Sequence, residues 1–163
     1  MDYFEINGLK TLNGVIEVSG AKNAVLPLMA ASILNQDKLK ISNVPTLSDS
    51  ITMSKLLKKM GADVNFESDN SISVDSSKLD NPFAPYDLVK TMRASFYVLG
   101  PLLARFGNAK VSLPGGCAWG PRPVDFHLDG LKALGVKISI ENGYVIADGS
   151  NLIGNKIHFP KIS

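Results

Sequence analysis

The chain has 163 residues, of which 45% are hydrophobic and 20% charged, and its formal net charge is +2. That composition suits one globular domain with a real core and excludes a disordered or fibrous chain. The seventeen basic residues are dispersed, with no run that could track a nucleic-acid backbone, so no nucleic-acid partner is expected.

The single cysteine excludes an internal disulfide and suits a reducing compartment. Met1 to Glu5 lacks the basic-then-apolar layout of a signal peptide. No apolar run is long enough to span a bilayer. The expectation is a cytoplasmic protein with no membrane partner.

In chain order, Tyr3 to Ile6 alternates weakly as a short strand, Gly8 to Gly14 is a loop, and Val15 to Val18 reads as a strand. Ser19-Gly20 opens a helix from about Lys22 to Leu34, with Ser19 as candidate cap and Pro27 as a candidate kink. Lys40 to Val44 is a strand. Ser48 or Asp49 caps a second helix that runs to Met60 and stops at Gly61. Ala62 to Glu67 and Ser71 to Val74 form a hairpin around Ser68-Asp69-Asn70.

The pattern then returns. Asp87 to Arg105 reads as one helix with Leu88, Met92, Phe96, Leu99 and Leu103 on a stripe, interrupted at Gly100-Pro101. Lys110 to Leu113 is a strand, Asp125 caps a helix ended by Gly135, and Val136 to Ile140 pairs with Tyr144 to Ala147 around Asn142-Gly143. Residues 40–45 match 110–115, and 58–67 match 132–141, an offset of about 70 residues that suggests duplicated subdomains. The units are expected over about 22–76 and 86–148, with Lys156 to Ile162 as the strand opening a third.

Chemistry concentrates in Leu113 to Asp125, which holds the only cysteine and the only tryptophan. Gly115 and Gly116 suit a tight or mobile loop, and Pro121 and Pro123 fix the backbone on both sides of Arg122. Two readings stand: a reactive thiol, Cys117, beside a fixed anion receptor, or a surface turn with an incidental buried cysteine.

Lys22, in the first turn of its helix, opposes the helix dipole unless an anion binds there with Asn23 as a further donor; otherwise it is a solvated lysine. Arg93 is either a paired guanidinium or a snorkelling one. His127 is an acid–base candidate or a structural histidine, and Asp125 a helix cap or a ligand for a substrate hydroxyl. No metal-ligand spacing and no glycine-rich dinucleotide or phosphate-loop fingerprint is present, so neither metal nor cofactor is expected.

Four segments carry a resemblance: Ser-Gly-Ala-Lys-Asn-Ala (19–24), Lys-Thr-Met-Arg-Ala-Ser (90–95), Gly-Pro-Leu-Leu-Ala-Arg-Phe-Gly (100–107) and Pro-Gly-Gly-Cys-Ala-Trp-Gly-Pro-Arg-Pro-Val-Asp (114–125). Together they resemble the UDP-N-acetylglucosamine 1-carboxyvinyltransferases. These are the enolpyruvyl transferases that open bacterial peptidoglycan synthesis. The cysteine-loop motif separates them from the related shikimate-pathway enzyme.

The resemblance implies an α/β fold, the inside-out barrel of two domains each built from three repeated units. Residues 1–21 would belong to a split first domain and 22–163 to the second: two units plus the start of a third. It implies that Lys22 and Asn23 contact phosphoenolpyruvate, and that Cys117 donates a proton to its methylene carbon and is alkylated by fosfomycin. Arg122 would hold phosphate. Arg93, Arg122, Pro123, Val124, Asp125, Phe126, His127, Lys161 and Ser163 would contact UDP-N-acetylglucosamine. Trp119 and Tyr97 depart from common family residues; these departures bear on loop packing and remove no reacting group. Two rival readings are a non-catalytic nucleotide-sugar-binding module and an enzyme of the same fold with another acceptor.

Overall fold

A computed structural model describes residues 3–8, 11–115 and 124–159. Helix α1 (Lys22–Ala31) is followed by a 3-10 turn (Ser32–Leu34) and strand β1 (Lys38–Ile41). Then come α2 (Ser48–Lys59), β2 (Asp63–Phe66) and β3 (Ile72–Asp75). The second half holds β4 (Phe83–Ala84), α3 (Tyr86–Val89), a 3-10 helix (Arg93–Val98) that runs into α4 (Leu99–Phe106), and β5 (Asn108–Ser112). It closes with α5 (Asp125–Ala133), β6 (Lys137–Glu141) and β7 (Tyr144–Asp148).

The duplication seen in the sequence is a duplication of topology. The first sheet has the order β1-β3-β2 and the second β4-β5-β7-β6, so β1, β2 and β3 correspond to β5, β6 and β7. In each sheet the last strand lies in the middle and pairs antiparallel with both neighbours: Ile72 opposes Ile41 and Phe66, and Tyr144 opposes Ser112 and Glu141. The second hairpin turns at Asn142 and Gly143, with φ of 50° and 79°, as the Asn-Gly pair predicts. Helices α2, α4 and α5 stop at Gly61, Gly107 and Gly135, all with positive φ.

One apolar core joins the two units. It gathers Leu26, Met29 and Ile33, then Met53, Leu56 and Leu57 of α2, and Leu99, Leu102 and Leu103 of α4, all at most 2% exposed. Arg105 ties the units across this core. Its guanidinium donates to the carbonyl of Ile33 at 2.8 Å, closing a separation of 72 residues.

Several boundaries differ from the sequence reading, each for a physical reason. Residues 3–8 and 11–21 form no regular structure, so Tyr3–Ile6 and Val15–Val18 are not strands here. A strand needs a partner for its backbone groups. Among the described residues none pairs with these, and Tyr3, Phe4, Ile6, Leu12, Val15, Ile16 and Val18 are 83–98% exposed.

The expected helix over Asp87–Arg105 breaks at Met92, whose extended backbone separates α3 from the 3-10 helix. Gly100-Pro101 does not interrupt it: Pro101 is the third residue of α4, where a missing N–H is tolerated. The residues flanking α1, α2 and α5 are Ala21, Leu47 and Val124, not Ser19, Ser48 or Asp49, and Asp125. At α2 the Ser50 hydroxyl instead accepts the Leu47 N–H at 3.1 Å. Residues 156–159 are not a strand; Ile157 and Phe159 lie over Gly130 of α5. The remainder of that expected strand, 160–162, lies outside the described residues. The two-residue β4, parallel to β5, escaped the sequence reading because so short a segment carries no periodicity.

Gly20 sets where α1 begins. Its N–H donates to Asn43 Oδ1 at 3.0 Å, and a Cβ placed on it would lie 2.0 Å from the carbonyl oxygen of Asn43. Asn43 itself is held at φ 54°, so it cannot readily retreat. Gly20→Ala is therefore expected to lower stability by about 1–3 kcal/mol, read as a reduced denaturation midpoint. An unchanged midpoint would show that the 19–21 segment can move aside freely.

Candidate active site

The first turns of three helices meet on one cleft of about 480 Å³. Lys22 and Asn23 open α1, Asp49 lies in the first turn of α2, and Val124 and His127 bracket the start of α5. Arg93, Ala94, Phe96 and Tyr97 come from the 3-10 helix, and Lys90, Thr91 and Met92 from the break before it. Each helix N-terminus carries unpaired N–H groups and the positive end of its dipole. The described lining adds three cations, Lys22, Lys90 and Arg93, against one carboxylate, Asp49. The described lining therefore carries an excess of positive charge, a setting that suits an anion.

The cations are not loose. Lys22 Nζ lies 3.1 Å from Asp49 Oδ2, with the lysine side chain 48% and the aspartate 28% exposed. Lys90 Nζ pairs with Asp87 at 3.1 Å and sits 5.1 Å from the centre of the Tyr86 ring. Arg93 is exposed and is the first residue of its helix, so it does not share a row with Val89 as a continuous helix would have required. Lys22 and Arg93 hold the same place in the two units: each is the first residue of the helical segment that leads to the unit's first core strand, β1 or β5. His127 is exposed, and its ring meets Phe96 edge-on at 6.1 Å.

Gly115 also lines the cleft. Its glycine is required by contact, since a Cβ there would come within 2.9 Å of the Lys90 carbonyl oxygen and 3.3 Å of Lys90 Cα. Gly115 is not among the described glycines with positive φ. Gly115 and Val124, the described residues on either side of 116–123, both line the cleft. Between them, Cys117, Arg122 and Pro123 lie outside the described residues, as do Lys161 and Ser163.

Of the residues singled out from sequence, Lys22, Asn23, Arg93, Val124 and His127 share this cleft. Asp125 is exposed and does not line it. Phe126 faces a neighbouring apolar groove and packs against Phe159 at 5.8 Å. Asp49 and Lys90 were missed as site residues. The repeat held the signal for Asp49, because the start of α2 corresponds to the start of α5. Among the described residues, no group of three His, Cys, Asp or Glu side chains could hold a metal ion, and no helix is long and apolar enough to cross a membrane.

Paired units with this topology are those of the enolpyruvyl transferases. The chain matches the crystal structure of the enolpyruvyl transferase NikO from Streptomyces tendae with a TM-score of 0.73 and 26% identity, over 86% of this chain and 31% of that one. EPSP synthase from Acinetobacter baumannii matches at a TM-score of 0.67 and 16% identity, over 92% of this chain and 35% of that one, a likeness of fold alone.

Residues 6–162 match the EPSP synthase (3-phosphoshikimate 1-carboxyvinyltransferase) family, and the chain belongs to it. UDP-N-acetylglucosamine 1-carboxyvinyltransferase of Campylobacter hominis is 50% identical over 163 residues, which is 100% of this chain and 39% of that protein. The chain therefore spans about 39% of the length of that relative.

Proposed function

We propose that these residues form one wall of the active site of a UDP-N-acetylglucosamine 1-carboxyvinyltransferase. In this reading residues 1–21 belong to a first domain completed by other polypeptide, and 22–163 form two units of the second domain and the start of a third. The observation that carries the reading is the 50% identity to the Campylobacter hominis enzyme along the whole chain. It joins a cleft whose cations and helix N-termini suit an enol phosphate.

The reaction adds the sugar 3′-hydroxyl to carbon 2 of phosphoenolpyruvate while a proton reaches its methylene carbon. Loss of a proton from that carbon and departure of phosphate then restore the double bond. Cys117 supplies the first proton, two residues beyond the cleft wall at Gly115. A thiol suits this role because its ordinary pKa lies close enough to neutrality for transfer in either direction. Lys22 and Asn23 hold the phosphate, Arg122 shares that charge, and the helix N-termini add oriented N–H groups. Arg93 and the segment from Arg122 to His127, with Lys161 and Ser163, hold the UDP-sugar. The product feeds bacterial peptidoglycan synthesis in the cytoplasm, and fosfomycin alkylates Cys117.

Cys117 provides the test. In the complete protein, Cys117→Ala is expected to lower turnover by about 10²–10⁴-fold and to abolish alkylation by fosfomycin. UDP-N-acetylglucosamine should change the alkylation rate of the wild-type thiol. Normal turnover of Cys117→Ala with phosphoenolpyruvate and the UDP-sugar would overturn the reading.

A further inference from the structure

We propose that Asp49 is a positioning residue for Lys22, and through it a determinant of turnover rather than of substrate affinity. The inference rests on the reading of this cleft as a phosphoenolpyruvate site. Three observations carry it.

First, Asp49 is the lone carboxylate among the described residues that line the cleft. A negative charge there repels an anionic substrate, so affinity gives no reason for it. Second, its carboxylate lies 3.1 Å from Lys22 Nζ across the packed pair α1 and α2. Third, its own placement is favourable. The first turn of α2 stabilises a negative charge through the helix dipole, whereas the first turn of α1 disfavours the positive charge of Lys22.

A lysine ammonium sits on a flexible four-carbon stem. At the start of α1 it would otherwise swing toward water, away from a dipole of its own sign. Asp49 holds it on the cleft side and removes the reorganisation that would be needed as charge develops on the departing phosphate. The ammonium keeps hydrogen-bonding capacity for the substrate, since it has three donors and this carboxylate engages one face of it.

The test uses the complete protein with Asp49→Asn, Asp49→Glu, Lys22→Met and the Lys22→Met/Asp49→Asn double variant. Steady-state kcat and KM for phosphoenolpyruvate are measured beside the thermal midpoint. Asp49→Asn is expected to lower kcat by at least about tenfold, with KM unchanged or lower because a repelling charge is gone. Asp49→Glu should recover most of kcat. The double variant should match Lys22→Met, since with the ammonium absent there is nothing left to position.

A kcat of Asp49→Asn within twofold of wild type, beside an impaired Lys22→Met, would overturn this proposal alone, whatever happens to the thermal midpoint. So would a raised KM with unchanged kcat. Normal kinetics in Lys22→Met would overturn the phosphate-site reading itself, and the proposal with it.

Discussion

Replacing Lys22 by methionine is expected to lower kcat/KM of the complete enzyme by about 10²–10³-fold, the usual loss when one preorganised donor to a developing charge is removed. The fold should not notice. Lys22 is half exposed, and its ion pair with Asp49 is a partly exposed one of small worth to stability. The substitution also relieves a cation at a helix N-terminus. Thermal unfolding and phosphate release on the same preparation separate the two quantities. A loss below about tenfold in a normally folded variant would remove Lys22 from the charge-stabilising set and, with it, the reading of this cleft as the phosphate site.

The 163-residue polypeptide by itself is expected to show no turnover above the buffer blank. One reason is chemical: in the proposed reading these residues form a single wall, which binds anions weakly and cannot orient two substrates, and the groups that exclude water and take the hydroxyl proton come from the remainder of the enzyme. The other is physical. Seven large apolar side chains between Tyr3 and Val18 stand in solvent. The groove lined by Phe96, Tyr97, Phe126 and Phe159 is likewise open. Repeated units stack apolar faces on one another, so surfaces of this kind call for a neighbour. The assay is phosphate release from phosphoenolpyruvate and UDP-N-acetylglucosamine, first with this polypeptide and then with the remainder of the enzyme added. Steady turnover by the polypeptide alone would show that the site is complete on one wall.

Much of this was legible in the residues. The matched segments 40–45 and 110–115 mark β1 and β5, and the glycines at 61 and 135 end the helices that follow. Local chemistry governs such features, so local sequence reveals them. Lys22 drew attention because its charge opposes the dipole of the helix it opens, and Arg93 because it departs from the apolar pattern around it.

What was hidden depends on partners far away in the chain. The reason for glycine at 20 is the carbonyl of Asn43, and at 115 the backbone of Lys90. Neither contact has a sequence signal. Asp49 looked like a helix cap because the capping rule alone accounts for an aspartate at the start of a helix. The break at Met92 was concealed by an apolar stripe that stays in register through it: Leu88 is partly buried and Met92 and Phe96 are buried, on either side of the interruption.

The strand order has a consequence for synthesis on the ribosome. In both sheets the strand made last is the one in the centre, β3 between β1 and β2, and β7 between β5 and β6. When β2 emerges it has no partner, because β1 is separated from it by the width of a strand not yet made. In the second sheet β5 can pair with the short β4 as it appears, but in both sheets the last strand must enter between two strands already made. At about 5–20 residues per second the interval between β2 and β3 is on the order of one second. During that interval the apolar side chains of Ile41 and Val64 lack the central strand that later covers them. The hairpin turn at Asn70 shortens this exposure, since it delivers β3 beside β2 as soon as it is made. The helix α2, finished just beforehand, offers its apolar face to β2, as α1 does to β1. A nascent chain that has emerged from the ribosome only to residue 71 would therefore display a binding site for chaperones that a chain emerged a few residues past 75 has already sealed.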